Sequence, residues 1–162
     1  MDKISRFVSD LGLAAYLVMH GYQVTGKSGR AIYFEVHDQQ ESQEFDRLVL
    51  EYQPPNLFYT FDSCLMFLKK ITDISPVGNL VDLEVVSDLG AAAYLLLNEY
   101  NEIDSLGCKV VGRKGKNVYF SVPADERERF RRKTFEYFTS QYATYDANLM
   151  GLKKIGEYEP AK

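Results

Sequence analysis

Two short stretches carry the residue types that bind phosphate. Gly26-Lys27-Ser28-Gly29-Arg30 and Gly112-Arg113-Lys114-Gly115-Lys116 place glycines and cations in the same order, 86 residues apart. Glycine lets the backbone take positive φ and expose its N–H groups, and flanking Lys or Arg neutralises phosphate. A tyrosine follows each turn at the same distance, Tyr33 and Tyr119. An exposed tyrosine stacks on a nucleobase for about 1–3 kcal/mol. Cations along a backbone beside exposed aromatics hold single strands without reading their sequence. Neither turn has the Gly-x-x-x-x-Gly-Lys-Ser/Thr spacing of a nucleotide-binding loop. A third group extends the basic surface: Arg127, Arg131 and Arg132, in a run to Lys133 that holds five cations. From Ser105 to Phe135 there are nine Lys or Arg against three Asp or Glu, although the whole chain has a net charge of −4. Local patches, not net charge, decide phosphate contact.

The elements that hold these turns are written twice. Val8-Ser9-Asp10-Leu11-Gly12-Leu13-Ala14-Ala15-Tyr16-Leu17 returns at an offset of 78 as Val86 to Leu95 with nine of ten residues identical. Ala31 to Val36 matches Asn117 to Val122, Glu51-Tyr52 matches Glu136-Tyr137, and Phe61 to Ile71 matches Tyr145 to Ile155. The second copy carries extra residues around Asn98 to Leu106. Landmarks in one order identify a duplicated unit rather than a solenoid.

Within each unit, Ser9 reads as a helix N-cap with Asp10 in the first turn, and Gly21 as the stop. The small residues Gly12, Ala14 and Ala15, and Gly90 to Ala93, predict a helix that another element approaches closely. A hairpin follows, with Ile32, Phe34 and Val36 (Val118, Phe120 and Val122) turned to the core and Tyr33 (Tyr119) turned out. A second helix carries Phe45, Leu48, Val49 and Tyr52 on one stripe (Phe130, Thr134, Tyr137 and Phe138 in the second copy), and Pro54-Pro55 closes it in the first copy. A third, starting near Asp62 or Asp146, buries Leu65, Leu68 and Ile71 or their equivalents. The spacing therefore predicts an α+β protein of tandem α-β-β-α-α units, residues 1–72 and 85–162 with a connector over 73–84. The two hairpins are expected to meet, as one small four-stranded antiparallel sheet or face to face, in a pseudo-two-fold domain.

Composition narrows the function. Of 162 residues, 46% are hydrophobic and 14% aromatic, enough for a core. Cys64 and Cys108 occupy non-equivalent places in the two copies, which argues against a duplicated disulfide or metal site and for a reducing compartment. No apolar run reaches membrane-spanning length and the start is not a signal peptide, so the chain reads as soluble and cytoplasmic. His20 and His37 occur in the first copy only and read as helix-end and strand-end residues. Asp10 and Asp88 read as caps. No Ser/His/Asp set repeats, so neither an enzyme, a metal nor a cofactor is expected.

Each copy resembles a small phage and bacterial family catalogued as a domain of unknown function. The resemblance rests on Ser9-Asp10, Ala14-Ala15-Tyr16-Leu17, Gly21, Tyr33-Phe34-Glu35-Val36 and Leu68-Lys69-Lys70-Ile71. The second copy departs from it by having Glu99-Tyr100 in place of the glycine. The resemblance implies a phage or mobile-element setting and no activity. The residues predict a non-enzymatic protein that binds single-stranded RNA or DNA with little sequence preference. Lys27, Arg30, Arg113, Lys114 and Lys116 would hold phosphate, Tyr33 and Tyr119 would stack, and Arg127, Arg131 and Arg132 would flank. The alternative is a phage or mobile-element adaptor that docks on a protein or on itself, favoured by 12 Tyr and 10 Phe in an acidic chain.

Overall fold

The computed structural model describes residues 3–71, 83–102 and 105–156. The first half runs β1 (Ile4–Val8), α1 (Leu11–Met19), β2 (Val24–Ser28), β3 (Ala31–Val36), α2 (Gln39–Glu51) and α3 (Leu57–Lys70). The second runs β4 (Leu83–Val86), α4 (Leu89–Tyr100), β5 (Lys109–Lys114), β6 (Asn117–Ser121), α5 (Arg127–Tyr137) and α6 (Gln141–Lys154), with a 3-10 turn at Ala124–Glu126. The class is α+β.

Two expectations need correction. Each repeat opens with a strand, so the unit is β-α-β-β-α-α. The hairpins also do not join in one four-stranded sheet: among the described residues there are two antiparallel three-stranded sheets, ordered β1-β3-β2 and β4-β6-β5. The extra strand accounts for both differences, because it supplies the third strand that an isolated hairpin needs. Its sequence hides it. Ile4, Arg6 and Val8 lie opposite Val36, Phe34 and Ile32, so a charged residue interrupts the core-facing alternation. In the second copy Glu84, opposite Phe120, does the same. Leu83 and Glu84 are therefore strand residues, and residues 73–82 of the expected connector lie outside the described residues.

Local chemistry sets the helix ends. Asp10, not Ser9, is the N-cap of α1: its carboxylate accepts from the Leu13 N–H at 3.0 Å, and Asp88 accepts from the Ala91 N–H at 2.9 Å. Gly21 follows α1 at φ 95°, where the left-handed turn favours glycine. In the second copy Glu102 takes φ 56° after α4. α3 begins at Leu57, more than a turn before Asp62, because Asn56 Oδ1 accepts from the N–H groups of Phe58 at 2.9 Å and Tyr59 at 3.2 Å. α6 begins at Gln141, and Ser140 Oγ accepts from the Ala143 N–H.

The core follows most of the pattern that the sequence predicts, except that Ile71, Ile155 and Val49 are half-buried and Phe138 is exposed. Ile32, Phe34, Val36, Val118 and Phe120 are fully buried on the inner faces, and so are Ala14, Ala15, Leu17 and Ala91 to Ala93. The small residues let helix backbones pack closely. Tyr33 and Tyr119 lie on the outer faces, half-buried.

By spatial contact the chain divides differently from its repeats. One compact unit is residues 1–59 with 144–162, the other residues 60–143. Each unit thus takes a strand-helix-hairpin-helix body from one repeat and most of the third helix from the other. In the first unit Tyr145 is fully buried, its hydroxyl 2.6 Å from that of Tyr52 and its ring 5.5 Å from Phe58. In the second, Phe61, the residue equivalent to Tyr145, is fully buried and stacks on Tyr137 with ring centres 6.1 Å apart.

A second correspondence runs through the bodies with its charges reversed. In the first unit, Arg6 on β1 pairs with Asp46 on α2, donates to Ser42 Oγ at 2.7 Å and lies over the Phe45 ring at 4.7 Å. In the second, Glu84 on β4 accepts from Arg131 on α5 at 2.9 and 3.1 Å. Arg6 and Glu84 are equivalent positions, as are Asp46 and Arg131. The strand cation and helix anion of one unit are the strand anion and helix cation of the other.

If each unit needs a helix from the other repeat, cutting the chain between the repeats must not separate them. With a protease site inserted between Gly78 and Asn79, the two cleaved fragments are expected to co-elute on size exclusion as one species of the intact mass. Separate elution of the fragments without denaturant would contradict the exchange.

Candidate nucleic-acid interface

The hairpin turns close on Ser28 opposite Ala31 and on Lys114 opposite Asn117, which leaves two-residue loops, Gly29-Arg30 and Gly115-Lys116. Both loop glycines sit at φ 58°, the requirement of a turn with glycine at its first central position. Further down, each outer strand has a bulge, between Val24 and Gly26 and between Val110 and Gly112. A bulge shifts the side-chain alternation by one residue. Strict alternation from Val24, which pairs with buried Phe34, would turn Lys27 outward. With the bulge, Lys27 lies opposite Ile32 and Arg113 opposite Val118, both fully buried. Directly opposed residues share a face. The two cations therefore point to the helix side of their sheets.

There they meet helix C-termini. Lys27 Nζ donates to the carbonyls of Leu152 at 3.0 Å and Ile155 at 3.2 Å, at the end of α6. The Arg113 guanidinium donates to the carbonyls of Leu68 at 2.9 Å, Lys69 at 3.2 Å and Ile71 at 2.9 Å, at the end of α3, and to Gly115 O at 2.8 Å. The last carbonyls of a helix have no intrahelical donors and carry partial negative charge, so a cation is favoured there. Leu68 and Ile71 are the equivalents of Leu152 and Ile155. One task is done twice, reciprocally, by equivalent residues, and it engages the two cations with protein carbonyls.

The other sequence-derived residues lie as follows. Arg30, Lys114 and Lys116 are exposed at the hairpin tips. The Tyr33 ring lies 5.8 Å from that of Phe7, which is 61% exposed, and Tyr119 pairs across the strands with exposed Val85. Arg127 is half-buried at the start of α5, and Arg132 is exposed. Arg131 is exposed but bound to Glu84 on β4, the sheet edge opposite β5. Arg30 and Tyr33 are thus brought onto one hairpin, and Lys114, Lys116 and Tyr119 onto another, while Arg131 is held at the far edge of the second sheet.

Reactive groups are subdued. Burial pushes the Cys64 thiol up to about 11, and burial, with the Glu99 carboxylate adding, pushes Cys108 up to about 12. Both are protonated at neutral pH and are poor nucleophiles. Among the described residues no group of three or more His, Cys, Asp or Glu is placed to hold a metal ion, and no helix is long and apolar enough to cross a membrane. His20 caps the end of α1 with its ring 4.6 Å from Tyr16, and His37 lies just past β3.

Sequence reasoning passed over the exposed apolar residues. Leu50 on α2 and Phe135 on α5 are 70% and 75% exposed at equivalent positions. Met66 and Met150, also equivalent, are both exposed, as are Phe7 and Val85. The signal was present in the copy-to-copy alignment: both copies are apolar at positions off the buried stripe of the helices and on the outer face of the first strands.

In comparison with known proteins, no family model matches the chain, and no curated protein or solved structure matches it significantly.

Replacing Lys27 or Arg113 by methionine keeps much of the apolar stem and removes the donors. Each change is expected to lower unfolding stability by about 1–2 kcal/mol in urea titration, Arg113→Met the more because it loses more bonds. An unchanged midpoint in both variants would refute the capping role.

Proposed function

We propose that the chain is a non-catalytic protein-binding module that acts as an adaptor through apolar residues on its helix surfaces. The observation that carries this is the recurrence of exposed apolar residues at equivalent positions, above all Leu50 and Phe135. Single exposed apolar residues are ordinary on a protein surface. A pair of copies that differ widely elsewhere, yet both expose a large apolar side chain at three matching places, is not explained by folding, which none of these residues serves by burial. Apolar anchors of this kind carry much of the energy of protein interfaces.

A second reading, a single-strand binder, keeps support from the exposed Arg30, Lys114 and Lys116 beside the half-buried tyrosines. It is weaker because one of the two matched cation positions, Lys27 and Arg113, is directed at helix carbonyls. The phage or mobile-element setting implied by the resemblance suits either reading, and two free thiols suit the cytoplasm.

One experiment separates the readings. A photo-crosslinking amino acid is placed at position 50, at position 135 and, as a control, at Lys154, in cells that make the protein. Adducts to one identified protein from positions 50 and 135, well above the control, are expected. Yields no higher than the control would defeat the adaptor reading. Polarisation with labelled single-stranded oligonucleotides at low and high salt tests the other. Tight, salt-sensitive binding lost on changing Arg30, Lys114 and Lys116 to alanine would put the strand-binding reading in its place.

A further inference from the structure

α2 and α5 occupy the same place in the two repeats and carry opposite charge. α2 has four acidic residues and one basic, whereas α5 has five basic residues and two acidic. Asp46 and Arg131 are already paired with Arg6 and Glu84. Leaving those two and the buried Lys133 out, α2 keeps three acids against one base, Arg47, which pairs with Glu44 and Glu51, and α5 keeps three bases against two acids, with Arg129 pairing to Glu126. The exposed apolar residue of each helix stands among these charges: Leu50 one turn after Asp46, Phe135 one turn after Arg131. The Asp46 and Arg131 side chains are themselves 58% and 66% exposed.

Such faces select among partners. Two α2 faces brought together would set acid against acid, and two α5 faces base against base. An α2 face against an α5 face buries one apolar residue on another inside complementary charge, and complementarity of that kind fixes which surfaces meet. We infer that the partner of each face is a second copy of this chain: the α2 face of one molecule docks on the α5 face of the next, with Leu50 and Phe135 packed at the centre. This rests on the protein-binding reading above and names the partner. The contact is heterologous, since the two surfaces differ, so each molecule in a pair retains one unused face. A nucleic acid on α5 would leave the acidic α2, with its equally exposed Leu50, without an explanation.

The heterologous geometry makes a sharp test. Leu50→Asp removes the α2 face and leaves α5 intact. Phe135→Asp does the reverse. Both side chains are exposed, so folding is retained, and thermal melts confirm it. In analytical ultracentrifugation the wild type is expected to rise above monomer mass with concentration, and to fall back when salt is raised about tenfold, which screens exposed charges. Each variant alone is expected to stay monomeric. Mixed in equal amounts, the two should form a species of twice the monomer mass, because each supplies the face that the other lacks. A wild type that stays monomeric, a mixture that does not combine, or single variants that associate as the wild type does would each overturn the inference. Adducts from positions 50 and 135 to a different protein, with a monomeric wild type, would overturn it while leaving the adaptor reading standing. Absent adducts and absent association would remove both.

Discussion

A cation that crosses from a hairpin to the open end of a helix holds each half of this molecule together. Lys27 reaches the terminal carbonyls of α6 and Arg113 those of α3. A helix end inside a fold is costly unless its last carbonyls find donors, and an ionised donor is among the stronger ones. Once the hairpin supplies that donor, the helix must come from wherever the chain can deliver it. Here it comes from the other repeat. The compact units are therefore built from segments far apart in sequence, and the aromatic contacts of Tyr52 with Tyr145 and of Phe61 with Tyr137 fill in behind the same arrangement.

The two copies show which features of the unit are constrained by task and which by identity. The hairpin cation is lysine in one and arginine in the other. The strand-to-helix ion pair is kept with its poles exchanged, Arg6 with Asp46 and Glu84 with Arg131. Reversal at both ends leaves each pair attractive and makes a cross-match between the strand of one copy and the second helix of the other repulsive. With third helices exchanged between bodies, that repulsion assigns each second helix to its own sheet. Leu48, buried in α2, has the buried Lys133 as its equivalent in α5, so even core positions have diverged.

Charge divergence also reshapes the surface. The basic character that the sequence concentrates after Ser105 divides in three dimensions into a structural cation, a hairpin tip and a helix face opposed in sign to its counterpart. On the outside the copies share the exposed apolar pair Leu50 and Phe135 as well as the hairpin-tip cations Arg30 and Lys116.

Much of the local structure was legible along the chain. The small-residue helices, the alternation of Ile32, Phe34 and Val36, the stop at Gly21 and the loop glycines at positive φ all depend on neighbours within a few residues, and pattern alone determines them. The first strands were not legible, because Arg6 and Glu84 stand where the alternation requires an apolar residue, and their ion-pair partners lie 40 and 47 residues away. The direction of Lys27 was not legible either. A one-residue bulge in the outer strand reverses the side that it faces, and the Leu152 carbonyl it reaches lies 125 residues further on. From the sequence follow the α+β class, the repeated order of helix, hairpin and helices, and most of the buried positions. Which repeat completes which body, and that Lys27 and Arg113 are engaged within the fold, follow from contacts between distant segments that no local pattern encodes.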